Sequence, residues 1–157
     1  MEKSHKIIIR KLSIVLCSLA FFAYASSCFA LQTDEALNAA AARYITFLNA
    51  VGKLGVKSQG NNLPALFTSD LKKIMNGKLA FASLDKFSPQ LESVYNAFGP
   101  WTIENLDTII SSQQNTCVVR YVLKSAQGGN FTTIGILRFD DKGLIREINE
   151  VYNKFEG

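Results

Sequence analysis

The apolar periodicity of the chain changes character once, at Gly99-Pro100, and this constrains the fold more than any other feature. Before that point apolar residues recur every three or four positions; after it they alternate. Thr33 or Asp34 can cap a first helix, Asp34 and Glu35 place negative charge in its first turn, and Ala39–Ala42 are strong helix formers. Leu37, Ala41, Tyr44, Leu48 and Val51 form its apolar stripe, and Gly52 and Gly55 end it. Gly52–Asn62 (GKLGVKSQGNN) reads as a loop. A short helix is expected next, capped by Asn62, with Pro64 in its first turn and Leu63, Leu66 and Phe67 as apolar contacts. Ser69–Lys78 fits either a helix or a short strand. Ser88 as cap and Pro89 at the first helical position predict a further helix carrying Leu91, Val94, Tyr95 and Phe98.

Four segments beyond Pro100 read as strands: Trp101–Ile110, Thr116–Lys124, Phe131–Phe139 and Leu144–Tyr152. Ala126–Asn130 and Asp140–Gly143 are turns between them, and such short connections imply an antiparallel meander. Asp140-Asp141-Lys142-Gly143 is too short for a calcium loop and lacks downstream ligands. Helices followed by a sheet of four or more antiparallel strands make an α+β fold, with the helices on one sheet face.

Of the 157 residues, the first thirty read as an address. Lys3, Lys6, Arg10 and Lys11 precede the apolar run Leu12–Ala25, and Ser26–Ala30 ends in small residues with Cys28 and Ala30 at −3 and −1 of a cleavage site. This is the order of a secretory signal peptide. Fourteen residues span about 21 Å as a helix, short of a hydrocarbon core of about 30 Å. The expected organisation is a signal peptide over 1–30 and one domain over 31–157, exported to a bacterial periplasm or secreted. Two alternatives involve the membrane. An uncleaved anchor would recruit Ile7–Ile9 and bury Arg10 and Lys11, and Ala25-Ser26-Ser27-Cys28 loosely resembles a lipobox that would lipidate Cys28.

The leader also holds most of the formal +4 charge, so the folded part is nearly neutral and a nucleic-acid partner is not expected. The only histidine, His5, lies there too. Ser-His-Asp and Cys-His catalysis and His-ligated metals are therefore excluded from residues 31–157. Cleavage after Ala30 leaves Cys117 alone in an apolar strand, where it reads as a small buried hydrophobe and the fold must hold by packing. No phosphate loop and no CxxC is present, and neither cofactor nor metal is expected.

The run Ala42-Arg43-Tyr44-Ile45-Thr46-Phe47-Leu48-Asn49-Ala50, followed by Leu66-Phe67-Thr68-Ser69-Asp70, resembles the opening of the nuclear transport factor 2-like superfamily, which includes SnoaL-like proteins and ketosteroid isomerases. Gly135–Ile145 is similar to the strand, turn and hairpin with which that superfamily ends. The resemblance spans about residues 34–153 and implies a cone: a curved sheet wrapped on helices, with a pocket between them. For the isomerases it further implies a tyrosine on the first helix, an aspartate base after the "L-F" segment and an aspartic acid before the last hairpin. Tyr44 matches the first, whereas the base position falls near Met75 and the acid at Gly135, neither of which can exchange a proton. Asp70, the nearest carboxylate, comes too early in that count.

The candidate pocket residues are Tyr44, Trp101, Tyr121, Glu147 and Asn149. Tyr44 is either a core tyrosine or a donor at the pocket floor. On the last strand either Arg146 and Glu150 or Glu147 and Asn149 face inward, because Leu144 and Ile148 argue for one face and Ile145 and Val151 for the other. Arg120, with Val118, Val122 and Lys124, points away from the core, and that face suits a sheet-to-sheet homodimer. The expectation is a cone that binds a small apolar molecule or a protein partner without catalysis. Two alternatives remain open: an isomerase, cyclase or hydrolase using Tyr44 with Glu147 or Asn149, and an accessory subunit of an envelope assembly.

Overall fold

The computed structural model describes residues 32–155, so the signal-peptide, anchor and lipobox expectations lie outside the described residues. Helix α1 (Asp34–Leu54) begins where its charges and cap place it, with Thr33 Oγ1 accepting from the Ala36 amide at 3.1 Å. Its stripe of Leu37, Ala41, Tyr44, Leu48 and Val51 is wholly buried, and each such aliphatic side chain contributes about 1.5–3 kcal/mol on leaving water. Gly52 does not end the helix. It lies in the last turn, where a Cβ would run into Trp101, so the missing side chain lets strand and helix touch. The turn after α1 is made at Gly55, whose φ of 77° favours glycine.

Two sequence expectations between the helices need correction. Val56–Ala65 is one 3₁₀ segment in place of a loop and capped short helix, and Phe67 opens a strand. Ser69–Lys78 resolves as strand: β1 (Phe67–Met75) turns back through Asn76-Gly77, both at positive φ, into β2 (Lys78–Phe81). Helix α2 (Phe87–Phe98) starts one residue before Ser88, with no side-chain cap, because a 3₁₀ turn at Leu84–Lys86 leads into it. Phe87 is locked by rings of Phe47, Phe67 and Phe81 with centroids 5.0–6.0 Å away.

Strands β3 (Trp101–Ser111), β4 (Thr116–Ser125), β5 (Gly129–Phe139) and β6 (Ile145–Phe155) form the expected antiparallel meander. The Asp140 turn closes one hairpin, its carboxylate accepting from the Lys142 and Leu144 amides at 2.9 and 2.8 Å. The sheet gains two strands beyond those four, in the order β2-β1-β6-β5-β4-β3, with β1 parallel to β6. It is curved and unclosed, an α+β cone with α1 against its inner face.

The register shift between Arg138/Glu147 and Phe139/Ile145 leaves Arg146 as an extra residue on β6. Such a bulge reverses the side-chain alternation. Ile145 therefore points inward before the bulge, and Ile148 and Glu150 point inward after it. Of the conflicting hydrophobic cues of the last strand, Ile145 holds before the bulge and Ile148 after it, whereas Val151 faces outward.

Candidate functional site

Cross-strand rows on the inner face show how the site arises. Ile110, Cys117, Leu137 and Ile148 make one row, Thr108, Val119, Gly135 and Glu150 the next, and Asn105, Tyr121, Thr133 and Tyr152 the third. The first row is apolar and packs on α1, with the Cys117 thiol 3.5 Å from the Leu37 carbonyl oxygen. Burial, then the nearby Asp34 charge, raises that thiol to about 11, so it is inert at neutral pH.

The second row places a carboxylate inside the protein. Glu150 is only 5% exposed. Its Oε1 accepts from the hydroxyls of Tyr44 at 2.7 Å and Tyr121 at 2.9 Å, and its Oε2 faces the Lys73 ammonium at 3.1 Å. Lys73 is 4% exposed and lies over the Phe87 ring, 5.3 Å from the centroid. Gly135 stands beside Glu150, and a Cβ there would come within 3.3 Å of Val119 and 3.6 Å of the Glu150 Cγ.

Burial by itself raises the Glu150 carboxyl, but Lys73, Tyr44 and Tyr121 together outweigh it and hold it below its ordinary value. Burial, followed by the Glu150 charge, pushes both tyrosines well above 10. At neutral pH the cluster is thus an ionised carboxylate accepting from two protonated phenols, with Lys73 facing its other oxygen.

Against it lies a cavity of about 110 Å³. Lys73, Tyr121, Thr133 and Glu150 supply its polar side, while Leu48, Leu91, Val94, Phe98, Ile103 and Phe131 supply much of its apolar wall. The exposed Tyr152 stands at its edge. Helix α2 leaves this space because Val94 and Phe98 are only half-buried against the sheet.

The sequence candidates divide accordingly. Trp101 and Tyr121 line the cavity, and Trp101 is fixed by its indole N–H donating to the Leu48 carbonyl oxygen at 3.0 Å. Tyr44 reaches Glu150 from the core side without lining the cavity. Glu147 and Asn149 do not line it. They fall on the outer face because of the Arg146 bulge, and Glu147 meets Arg138 at 3.4 Å. Sequence reasoning missed Lys73, and it left Glu150 as one of two choices. Met75, where the resemblance places a base, lines the cavity. Two residues earlier on the same strand, Lys73 supplies a cation. At Gly135, where it places an acid, the neighbouring strand supplies Glu150. Among the described residues, no group of three His, Cys, Asp or Glu side chains is placed to hold a metal.

No family model matches the sequence, and no curated protein matches it. Solved structures do resemble it. A nuclear transport factor 2-like protein of unknown function from Exiguobacterium sp. 255-15 is 21% identical, with a TM-score of 0.59 over 74% of this chain and 99% of that one. A SnoaL-like protein from Jannaschia sp. CCS1 is 12% identical, with a TM-score of 0.64 over 78% and 90%. A steroid delta-isomerase from Pseudomonas aeruginosa is 20% identical, with a TM-score of 0.57 over 80% and 85%. Identities this low speak for architecture and leave chemistry to the site itself. The chain has the nuclear transport factor 2-like cone fold shared by SnoaL-like and steroid-isomerase-like proteins.

Proposed function

We propose that the protein is an exported cone-fold domain that binds a compact, largely apolar molecule and does not transform it. The observation that carries this reading is the cavity wall of aliphatic and aromatic side chains meeting one polar corner. Sites for drug-sized ligands start at roughly 300 Å³, so an occupant of this smaller space is compact. Glu150 is unsuited to catalysis. Proton abstraction needs a carboxylate with a free lone pair and raised basicity. Here three donors occupy the carboxylate and its proton affinity is lowered. The two tyrosines are committed to the same oxygen, which takes them away from a developing oxyanion.

The outer sheet face supports a homodimer as a further part of the proposal. Ile109, Ile134 and Val151 are 62, 46 and 59% exposed there, with the exposed Arg120 in the same row as Ile134 and Val151. Light scattering of wild type and Val151→Lys tests it: a dimer that becomes a monomer is expected, and a wild-type monomer rejects it. The binding reading is tested by titrating small apolar probes against the resonance of Trp101, the chain's single tryptophan. Saturable shifts are expected. Turnover of any member of a ketone and lactone panel would replace the non-catalytic reading by the enzymatic one.

A further inference from the structure

We propose that the polar end of the ligand is a neutral carbonyl oxygen, as in a ketone or ester, received by the Lys73 ammonium. The proposal rests on the binding reading above and specifies its chemistry. A lysine ammonium has three N–H donors. Among the described residues Lys73 meets one acceptor, the Glu150 Oε2, although the group is almost fully buried and borders the cavity. Buried donors without acceptors are costly, so the remaining N–H groups, which no second oxygen meets among the described residues, call for an acceptor from a bound molecule. Neither tyrosine competes for it, because both hydroxyls already point at Glu150 Oε1.

Charge selects the kind of oxygen. Lys73 and Glu150 cancel one another, and the rest of the wall carries no charge: Gln90, Tyr121 and Thr133 are neutral polar groups and most of the remainder is apolar. A carboxylate ligand would bring an uncompensated negative charge beside Glu150, whereas a carbonyl accepts a hydrogen bond and leaves the corner neutral. A purely apolar molecule fills the space but leaves the ammonium unsatisfied. Gln90 adds an independent sign of an incomplete polar set. It lines the cavity, and among the described residues its Nε2 meets the Met75 sulfur at 3.6 Å while its Oε1 is buried without a donor.

The test uses three probes that share a six-membered ring: cyclohexanone, methylcyclohexane and cyclohexanecarboxylate. Each is titrated into the full-length protein while the single indole resonance is followed. Cyclohexanone is expected to bind at least about tenfold tighter than either of the others. In the triple variant Lys73→Met/Tyr121→Phe/Glu150→Leu, which removes the pair without stranding one charge or freeing the Tyr121 hydroxyl into the cavity, ketone and hydrocarbon should agree within about twofold. Equal affinities in wild type, or a preference for the carboxylate, would overturn the carbonyl assignment and leave a binding cavity in place. A triple variant that keeps the ketone preference would overturn the role of Lys73. If no probe shifts the indole, the binding reading fails and the assignment fails with it.

Discussion

The two ends of the inner sheet face are built from the same strands and behave as different materials. At the Cys117 end, Leu137 and Ile148 are sealed under α1, on strands that are paired on both sides. At the Leu123 end, the cover is α2, and its half-buried Val94 and Phe98 leave a void with an ion pair at its inner corner. Apolar contacts hold the first end without regard to pH. The second depends on a balance between desolvation and pairing, which can be tipped from either side. A cone of this kind keeps its fold in one half and its recognition chemistry in the other.

The largest expected effect separates those two balances. Lys73→Met or Glu150→Leu alone leaves a charge buried without its partner and should cost about 3–5 kcal/mol. Combining them removes the stranded charge but leaves the Tyr44 and Tyr121 hydroxyls without their acceptor, so the double variant should recover only part of the loss and cost well below the sum of the singles. Urea unfolding of the three variants measures this, and additive losses would show that the two groups act independently. At the sealed end, Leu137→Ala should cost about 2–5 kcal/mol with no rescue partner. Leu123→Ala, beside the existing void and half-buried, should cost about 1 kcal/mol. Equal costs for the two leucines would erase the contrast between the ends.

Removing one hydroxyl from the carboxylate is a smaller change. Tyr44→Phe and Tyr121→Phe should each cost about 1.5–3 kcal/mol, the range for hydrogen bonds to charged groups. The pair should fall short of the sum, since both donate to one oxygen. Glu150 also fixes the direction of the acid limb. Its folded carboxyl lies below the ordinary value of 4.5, so the unfolded chain takes up the proton first. The stability it contributes is present above about pH 4.5 and is lost as pH falls through the folded value, with a slope of at most about 1.4 kcal/mol per pH unit. The tyrosines set the opposite limb: with folded values well above 10, their contribution is present below pH 10 and lost above it. Denaturation midpoints from pH 3 to 11 should show both limbs, and the double variant should flatten the acid one.

The meander, the first helix and its stripe could be read from the sequence because local periodicity and turn chemistry determine them. The same cues were present elsewhere in less obvious form. Asn76-Gly77 is the two-residue pair that a tight hairpin demands, a cue for strand in Ser69–Lys78, which the periodicity left open. Conflicting parity around Ile145 and Ile148 was itself the mark of the bulge at Arg146. The pairing of Lys73 with Glu150 carried no such mark. Their strands meet through a parallel contact across most of the chain, and a single sequence contains no local signal for that partnership. A count along one strand stopped at Gly135, while the acid stood one strand away.

The smallest expected effect isolates placement from residue type. Glu147 and Glu150 lie three residues apart on β6, and each is paired with a cation. Arg138 and Glu147 meet at 3.4 Å on the outer face, where the Arg138 side chain is 53% exposed. Water screens such a pair, so Glu147→Gln should change stability by no more than about 1 kcal/mol. Glu150→Gln removes the same charge from the inner face and leaves Lys73 buried without a counterion, which should cost about 3–5 kcal/mol. Similar losses from the two substitutions would mean that the inner pair is hydrated like the outer one, and the neutral corner that selects a carbonyl would lose its physical basis.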